Sequence, residues 1–308
     1  MSSPSPSVPP LGKYLASSEK RTRDKAVKQL AAFLSNDESN ALPDVEMAKL
    51  WKGIFYCFWM SDKPLVQQAL ASELAELLII ITDISSSLRF LRGFWTTIVR
   101  EWHGIDRLRM DKYYMLIRKF VNATFRLLIR AKWNESAIEE YHSILSNTGG
   151  PLCANDLRVP SSLAYHLADI YLEELDKALA ASESSTPMPL IALLSPFISL
   201  AAQTQTSAIY KRIQDALFQP LLTVLSPPRS SNKRKRARLS EDQFTNIVSK
   251  AYKCDPSIDG SGEAMELRQA MLKTLFDVAS AETTRDFNRR KMYVLYKEAV
   301  EGSDSSEG

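Results

Sequence analysis

Residues 50–64, LWKGIFYCFWMSDKP, and residues 90–120, FLRGFWTTIVREWHGIDRLRMDKYYMLIRKF, decide the fold. Neither shows the period-2 alternation of a half-buried strand, and both space their apolar residues as helices do. The first belongs to a segment near Val45–Met60 that is apolar around most of its circumference, as a central helix of a stack would be. Pro64 can occupy the first turn of the next helix, where its missing N–H costs nothing, with Ser61 or Asp62 available as a cap. Gly104 offers a left-handed stop, and Asp106 a fresh N-cap with Ile105 and Met110 as a hydrophobic staple.

The same stretches braid Trp51, Phe55, Tyr56, Phe58, Trp59, Trp95, Trp102, Tyr113 and Tyr114 with Arg89, Arg92, Arg100, Arg107, Arg109 and Lys112. Four of the chain's 5 tryptophans fall here. Aromatics and arginines mixed this densely are favoured at buried interfaces. Two uses stay open for the braid: packing between helices, and an exposed anchor set on which a partner docks. The residues read as that set are Trp51, Trp59, Asp62, Lys63, Trp102, Asp106, Arg107 and Arg109.

Outward from this core, apolar periodicity predicts helices near residues 19–34, 45–60, 63–82, 84–103, 107–132, 136–146, 161–181, 190–202, 206–225, 241–252, 263–281 and 284–300. Short polar links make antiparallel neighbours the default. The expected fold is all-α, with stacked antiparallel helices forming a HEAT/armadillo-like α-α superhelix. No exact repeat is present. Residues 1–10 form a Ser/Pro tail and 301–308 an acidic one, both expected to be disordered. Between them lie a helical-repeat domain at 11–225, a basic flexible loop at 226–240, and C-terminal helices at 241–300 packing on the repeat domain.

With 308 residues and 45% hydrophobic content the chain can bury a substantial core, and its 10 glycines leave few tight hairpins. No apolar run approaches the roughly 20 residues of a membrane span, and MSSPSPSVPP is no secretory leader. Neither a membrane nor secretion is expected. Cys57, Cys153 and Cys254 are too far apart for a CxxC knuckle, and their odd number argues against a disulfide framework. Formal net charge is +3. Residues 226–240 hold Arg229, Lys233, Arg234, Lys235, Arg236 and Arg238 without an acid, so removing those six cations leaves the remainder at −3. A near-neutral body is not that of a protein held on nucleic acid by phosphate neutralisation alone. The run Lys233, Arg234, Lys235, Arg236 and Arg238 reads as a nuclear localisation signal.

No catalytic apparatus is visible. His103, His142 and His166 lack a second ligand at metal spacing, and no GxSxG, Walker A, GxGxxG or HExxH pattern occurs. Glu139 with Glu140, and Glu173 with Glu174, read as solvated helix faces. No enzyme activity, cofactor, metal or small-molecule substrate is expected. On the long helix, Lys112, Lys119, Arg126 and Arg130 share one arc opposite the stripe of Met110, Tyr114, Ile117, Val121 and Leu128. Such a ridge serves a solvated outer face, and it also fits RNA phosphates or an acidic protein surface. With Arg289, Arg290 and Lys291 these four are the candidate phosphate contacts.

LWKGIFYCFWMSDKPLVQQALA, FWTTIVREWHGIDRLRMDKYYMLIRKF, HLADIYLEELDKA, LLSPFISLAAQT with KRIQDALFQPLL, and TTRDFNRRKMYVLYKE, in that order, resemble the family of ribosomal RNA-processing protein 1, also called nucleolar protein 52. The two aromatic blocks are the most specific part. The resemblance implies a non-enzymatic scaffold of the nucleus and nucleolus, acting in precursor rRNA processing and assembly of the large (60S) ribosomal subunit. It implies partners too: other assembly factors, including Brix-domain and propeller-type proteins, together with pre-rRNA. Many members carry long basic C-terminal extensions where this chain ends in acidic residues, so protein–protein docking is expected to dominate, with RNA contact limited to local ridges. The alternative from another class is a helical-repeat nuclear transport or signalling adaptor unrelated to ribosomes.

Overall fold

The computed structural model describes residues 11–35, 42–184, 186–226, 244–251 and 261–304. The fold is all-α, without a strand among these residues. No described helix is long and apolar enough to cross a membrane. The chain divides into two compact units, Met1–Leu127 and Leu128–Gly308. That division falls inside a continuous helix, where no breaker marks it. The basic run Lys233–Arg238, together with Arg229, lies outside the described residues.

The first unit contains α1 (Leu11–Leu15), α2 (Lys20–Leu34), α3 (Asp44–Trp59), α4 (Pro64–Ile80), α5 (Ile84–Glu101), a 3-10 turn (Trp102–Gly104) and most of α6 (Arg107–Arg130). As the apolar circumference of its sequence predicts, α3 is central, packing against α1, α4 and α5. Two glycines make this possible. A Cβ on Gly53 would stand 2.7 Å from the Cα of Gly12, so their absent side chains let α1 lie on α3. A Cβ on Gly93 would come within 2.2 Å of the Trp51 indole, so Gly93 is the notch in α5 that receives it. Trp51 then packs 4.4 Å from Phe90 and 5.9 Å from Phe120, while Phe94 stacks on Phe120 at 3.8 Å.

Three local expectations change. Asp106 caps α6 as expected, its carboxylate accepting from the Arg109 N–H at 3.1 Å. Gly104, however, is not left-handed; α5 ends by tightening into the 3-10 turn, with the Ile105 N–H donating to Trp102 O. Ser61 does not cap α4 but turns back, its hydroxyl donating to Phe58 O at the end of α3. Glu174 is buried rather than solvated, held by Lys177 at 3.1 Å, while Glu173 beside it remains exposed.

The second unit contains α7 (Glu135–Ser146), α8 (Ser161–Ala180), α9 (Leu190–Gln203), α10 (Ser207–Ile213), a π-helical turn (Gln214–Phe218), α11 (Gln219–Val224), α12 (Thr245–Lys250), α13 (Ser261–Ser280) and α14 (Asp286–Asp304). The single helix read over 206–225 is thus broken by the π turn just ahead of Pro220, and α14 runs into the stretch read as an acidic tail. Uncharged α9 is the core helix, touching α7, α10, α13 and α14.

Pro196 lies inside α9 and has no N–H, which leaves the carbonyl of Ala192, four residues back, without its helical donor. His142 of α7 supplies one, Nε2 standing 2.5 Å from Ala192 O. The next carbonyl, Leu193 O, accepts from the Tyr171 hydroxyl at 2.7 Å. Both residues are therefore accounted for as structural donors, which assigns His142 a role that its spacing could not. Similarly, Asp176 of α8 accepts from the Asn246 and Ile247 N–H groups, each at 3.0 Å, and so caps α12 from a neighbouring helix.

Candidate interaction surface

Helix α3 ends in the run Phe58-Trp59-Met60, and its last carbonyls have no partners within the helix. Lys112, one turn into α6, supplies them. Its ammonium donates to Phe58 O at 3.0 Å, Trp59 O at 2.8 Å and Ser61 O at 2.7 Å, and the side chain is buried. A cation at a helix C-terminus also meets the negative end of the macrodipole. Burial, first of all, lowers the Lys112 pKa to about 8, with Asp62 opposing the shift. Three carbonyl acceptors need all three N–H donors, so the ammonium form is the one that fits. A second buried cation, Arg23 of α2, reaches Ser17 O, Ser18 O and, at 3.3 Å, Met60 O.

On this frame sits the outer layer. Arg109 places its guanidinium 4.7 Å from the Trp59 ring centroid, the geometry of a cation–π contact, and is held there by a salt bridge to Asp106. That pairing keeps the Asp106 carboxyl below the ordinary aspartate range. Trp59 is half-buried, while Asp62, Lys63 and Arg107 are exposed. Three apolar side chains beside them face outward: Met60 is 41% exposed, Leu65 81% and Leu108 93%.

The structure therefore splits the predicted anchor set. Trp59, Asp62, Lys63, Asp106, Arg107 and Arg109 lie at the surface around the α3–α6 junction. Trp51 and Trp102 are buried, Trp51 by the Gly93 notch and Trp102 against Tyr114 at 5.4 Å, so neither is an exposed anchor. The cationic ridge is thinned in the same way. Lys112 is sealed on carbonyls and cannot meet a phosphate, Arg126 is paired with Glu76, Lys119 is half-buried and Arg130 is exposed. Arg289 ties α13 to α14 through Ala279 O, Ala281 O and Thr284 O. Lys291 donates to the Ser207 hydroxyl at 2.6 Å and lies 4.0 Å from the Phe287 ring centroid, leaving Arg290 as the exposed member of that trio. Among the described residues no group of three or more His, Cys, Asp or Glu side chains could hold a metal ion. Arg23, Met60, Leu65 and Leu108 were missed. Leu108 had a signal: it stands between two arginines and out of register with the stripe that starts at Met110.

Fold and surface together define an all-helical protein whose candidate site is an outward-facing corner framed by buried cations. Comparison with known proteins gives its kinship. The chain belongs to the Nop52 family: the model described as "Nucleolar protein, Nop52" matches residues 6–296. It is similar to ribosomal RNA processing protein 1 homolog B of Mus musculus, at 30% identity over 92% of this chain and 42% of that protein. The Homo sapiens homolog B is 37% identical over 68% of this chain and 27% of its own length. A Dictyostelium discoideum homolog is 26% identical over 92% of this chain and 57% of its own. The chain thus spans between 27% and 57% of the length of these relatives.

Proposed function

We propose that the chain is a non-enzymatic scaffold of the nucleolus that acts in precursor rRNA processing and large-subunit assembly, docking other assembly factors and touching pre-rRNA locally. The observation that carries this reading is the α3–α6 corner. Leu65 and Leu108 are almost fully exposed on a frame that Lys112 and Arg23 hold rigid, with Arg109 stacked on Trp59. Exposed apolar side chains flanked by Trp and Arg match the composition of interface hot spots. The relatives' names carry rRNA processing, and the family's carries the nucleolus. Brix-domain and propeller-type proteins are the partners this reading expects.

The test is sedimentation of tagged protein from nuclear extract. Wild-type chain should travel with large-subunit precursors. Arg107→Glu combined with Leu108→Asp should release it while the melting temperature moves little, because surface substitutions of this kind usually change stability by under about 0.5 kcal/mol. A wild type found free of precursors would remove the reading in favour of an adaptor acting elsewhere. A purified chain that turns over pre-rRNA by itself would make it an enzyme.

A further inference from the structure

A second surface is lined by none of the predicted site residues. Between α1 and α3 runs an open groove of about 620 Å³. Its lining includes the backbones of Gly12 and Gly53, the half-buried Tyr56 ring, and three exposed lysines: Lys13 from α1, with Lys49 and Lys52 from α3. The one acid of the lining, Glu46, is paired with Lys49 at 2.7 Å, so the groove carries a formal surplus of two positive charges within a chain that is nearly neutral outside its basic run. Two of the cations read from the sequence as phosphate contacts, Lys112 and Arg289, are by contrast drawn into structure.

We propose that this groove binds single-stranded RNA, Lys13, Lys49 and Lys52 holding phosphates while Tyr56 stacks on a base. The inference deepens the assembly reading above and rests on it for the choice of RNA over other polyanions. Three features fit. Lysines three apart on a helix are neighbours on its surface, so Lys49 and Lys52 can serve adjacent phosphates along the strand. Lys13 faces them from the opposite wall. An aromatic beside a positive groove is the recurring platform of sequence-tolerant single-strand binding, and Tyr56 stands in that place. Tyr56 is steadied from behind by Phe55, the two rings meeting edge to face at 5.6 Å. The close contact of Gly53 with Gly12 seats α1 on α3 and so fixes how near the two lysine-bearing walls stand.

The test uses the full chain and a fluorescein-labelled single-stranded oligoadenylate of about 12 nucleotides, a length within the site sizes of such grooves. In a titration across salt concentrations, Lys13→Glu/Lys49→Glu/Lys52→Glu should weaken binding about tenfold or more. It should also make the dependence of log K on log salt shallower by about 2, three phosphates at roughly 0.7 each. Tyr56→Ala should cost about tenfold and Tyr56→Phe almost nothing, since stacking needs the ring and not the hydroxyl. Alanine at Arg229, Lys233, Arg234, Lys235, Arg236 and Arg238 removes the contribution of the basic run, and the groove-dependent part should persist in that background. Ultraviolet crosslinking of a 4-thiouridine-substituted strand should mark the peptide carrying Lys49–Tyr56. Unchanged affinity in the triple lysine variant overturns the inference, and so does displacement of the oligonucleotide by polyglutamate at equal charge, which would make the site one for an acidic protein. The assembly reading fails on a different result, absence of the wild-type chain from precursors, which leaves these binding data intact.

Discussion

Lys112 is the residue on which the corner depends. A helical wheel places it on the outer ridge with Lys119, Arg126 and Arg130, and the wheel is right about its angle on α6. What the wheel cannot contain is the neighbour: the C-terminus of α3 arrives at that angle and turns Phe58 O, Trp59 O and Ser61 O toward the ammonium. Lys112→Met should therefore lower stability by about 2 kcal/mol, the scale of charge-assisted hydrogen bonds lost from a buried site. Chemical denaturation of the two proteins measures this. Lys119→Met, on the half-buried flank of the same ridge, should change it little. Equal stability in wild type and Lys112→Met would mean that solvent serves those carbonyls as well as the ammonium does. The aromatic residues were ambiguous for a related reason, because only the position of Gly93 on the adjoining helix decides that Trp51 turns inward.

At the scale of the element, most helices were legible from periodicity and breakers, and the exceptions have physical causes. The five-residue α1 is too short to show a period. The π turn ahead of Pro220 keeps the angular pattern of a helix while changing its pitch. Pro196 reads as a helix breaker and yet sits within α9, because His142 on another helix replaces the one donor it removes. A double-mutant cycle tests this compensation. His142→Ala should cost about 1–2 kcal/mol, and much less in a Pro196→Ala background, where the restored N–H serves Ala192 O. Additive costs would disconnect the two residues. The same contact predicts a pH effect. Burial, opposed by the Ala192 contact and Glu139, pushes the His142 pKa below the usual histidine value. As pH falls below about 6.5 the unfolded chain takes up this proton before the native one does, so stability contributed at neutral pH is lost on acidification. Wild type should therefore lose stability between pH 7 and 5 relative to His142→Gln, which can still donate but does not titrate.

Across the whole molecule, beside cations held in ion pairs such as Arg126 with Glu76, three groups have different work. Lys112, Arg23, Lys250, Arg268 and Arg289 donate to backbone carbonyls and are part of the fold. Lys13, Lys49, Lys52 and Arg107 face outward on the described surface. The run Lys233–Arg238 lies outside the described residues and carries enough charge to reverse the sign of the net balance. Composition alone reveals the third group but cannot separate the first from the second, since whether a lysine meets a carbonyl or solvent is settled by which helix ends beside it. If the run acts as an address and the body as the grip, the two functions should come apart. Replacing Lys233, Arg234, Lys235 and Arg236 by alanine should leave the protein in the cytoplasm of living cells. Added to nuclear extract, the same variant should still enter large-subunit precursors, because the α3–α6 corner is untouched. Arg107→Glu with Leu108→Asp should show the opposite pair of results, normal nuclear entry without incorporation. Loss of incorporation in both variants would assign the basic run to binding as well, and unimpaired nuclear entry of the alanine variant would remove its role as a signal.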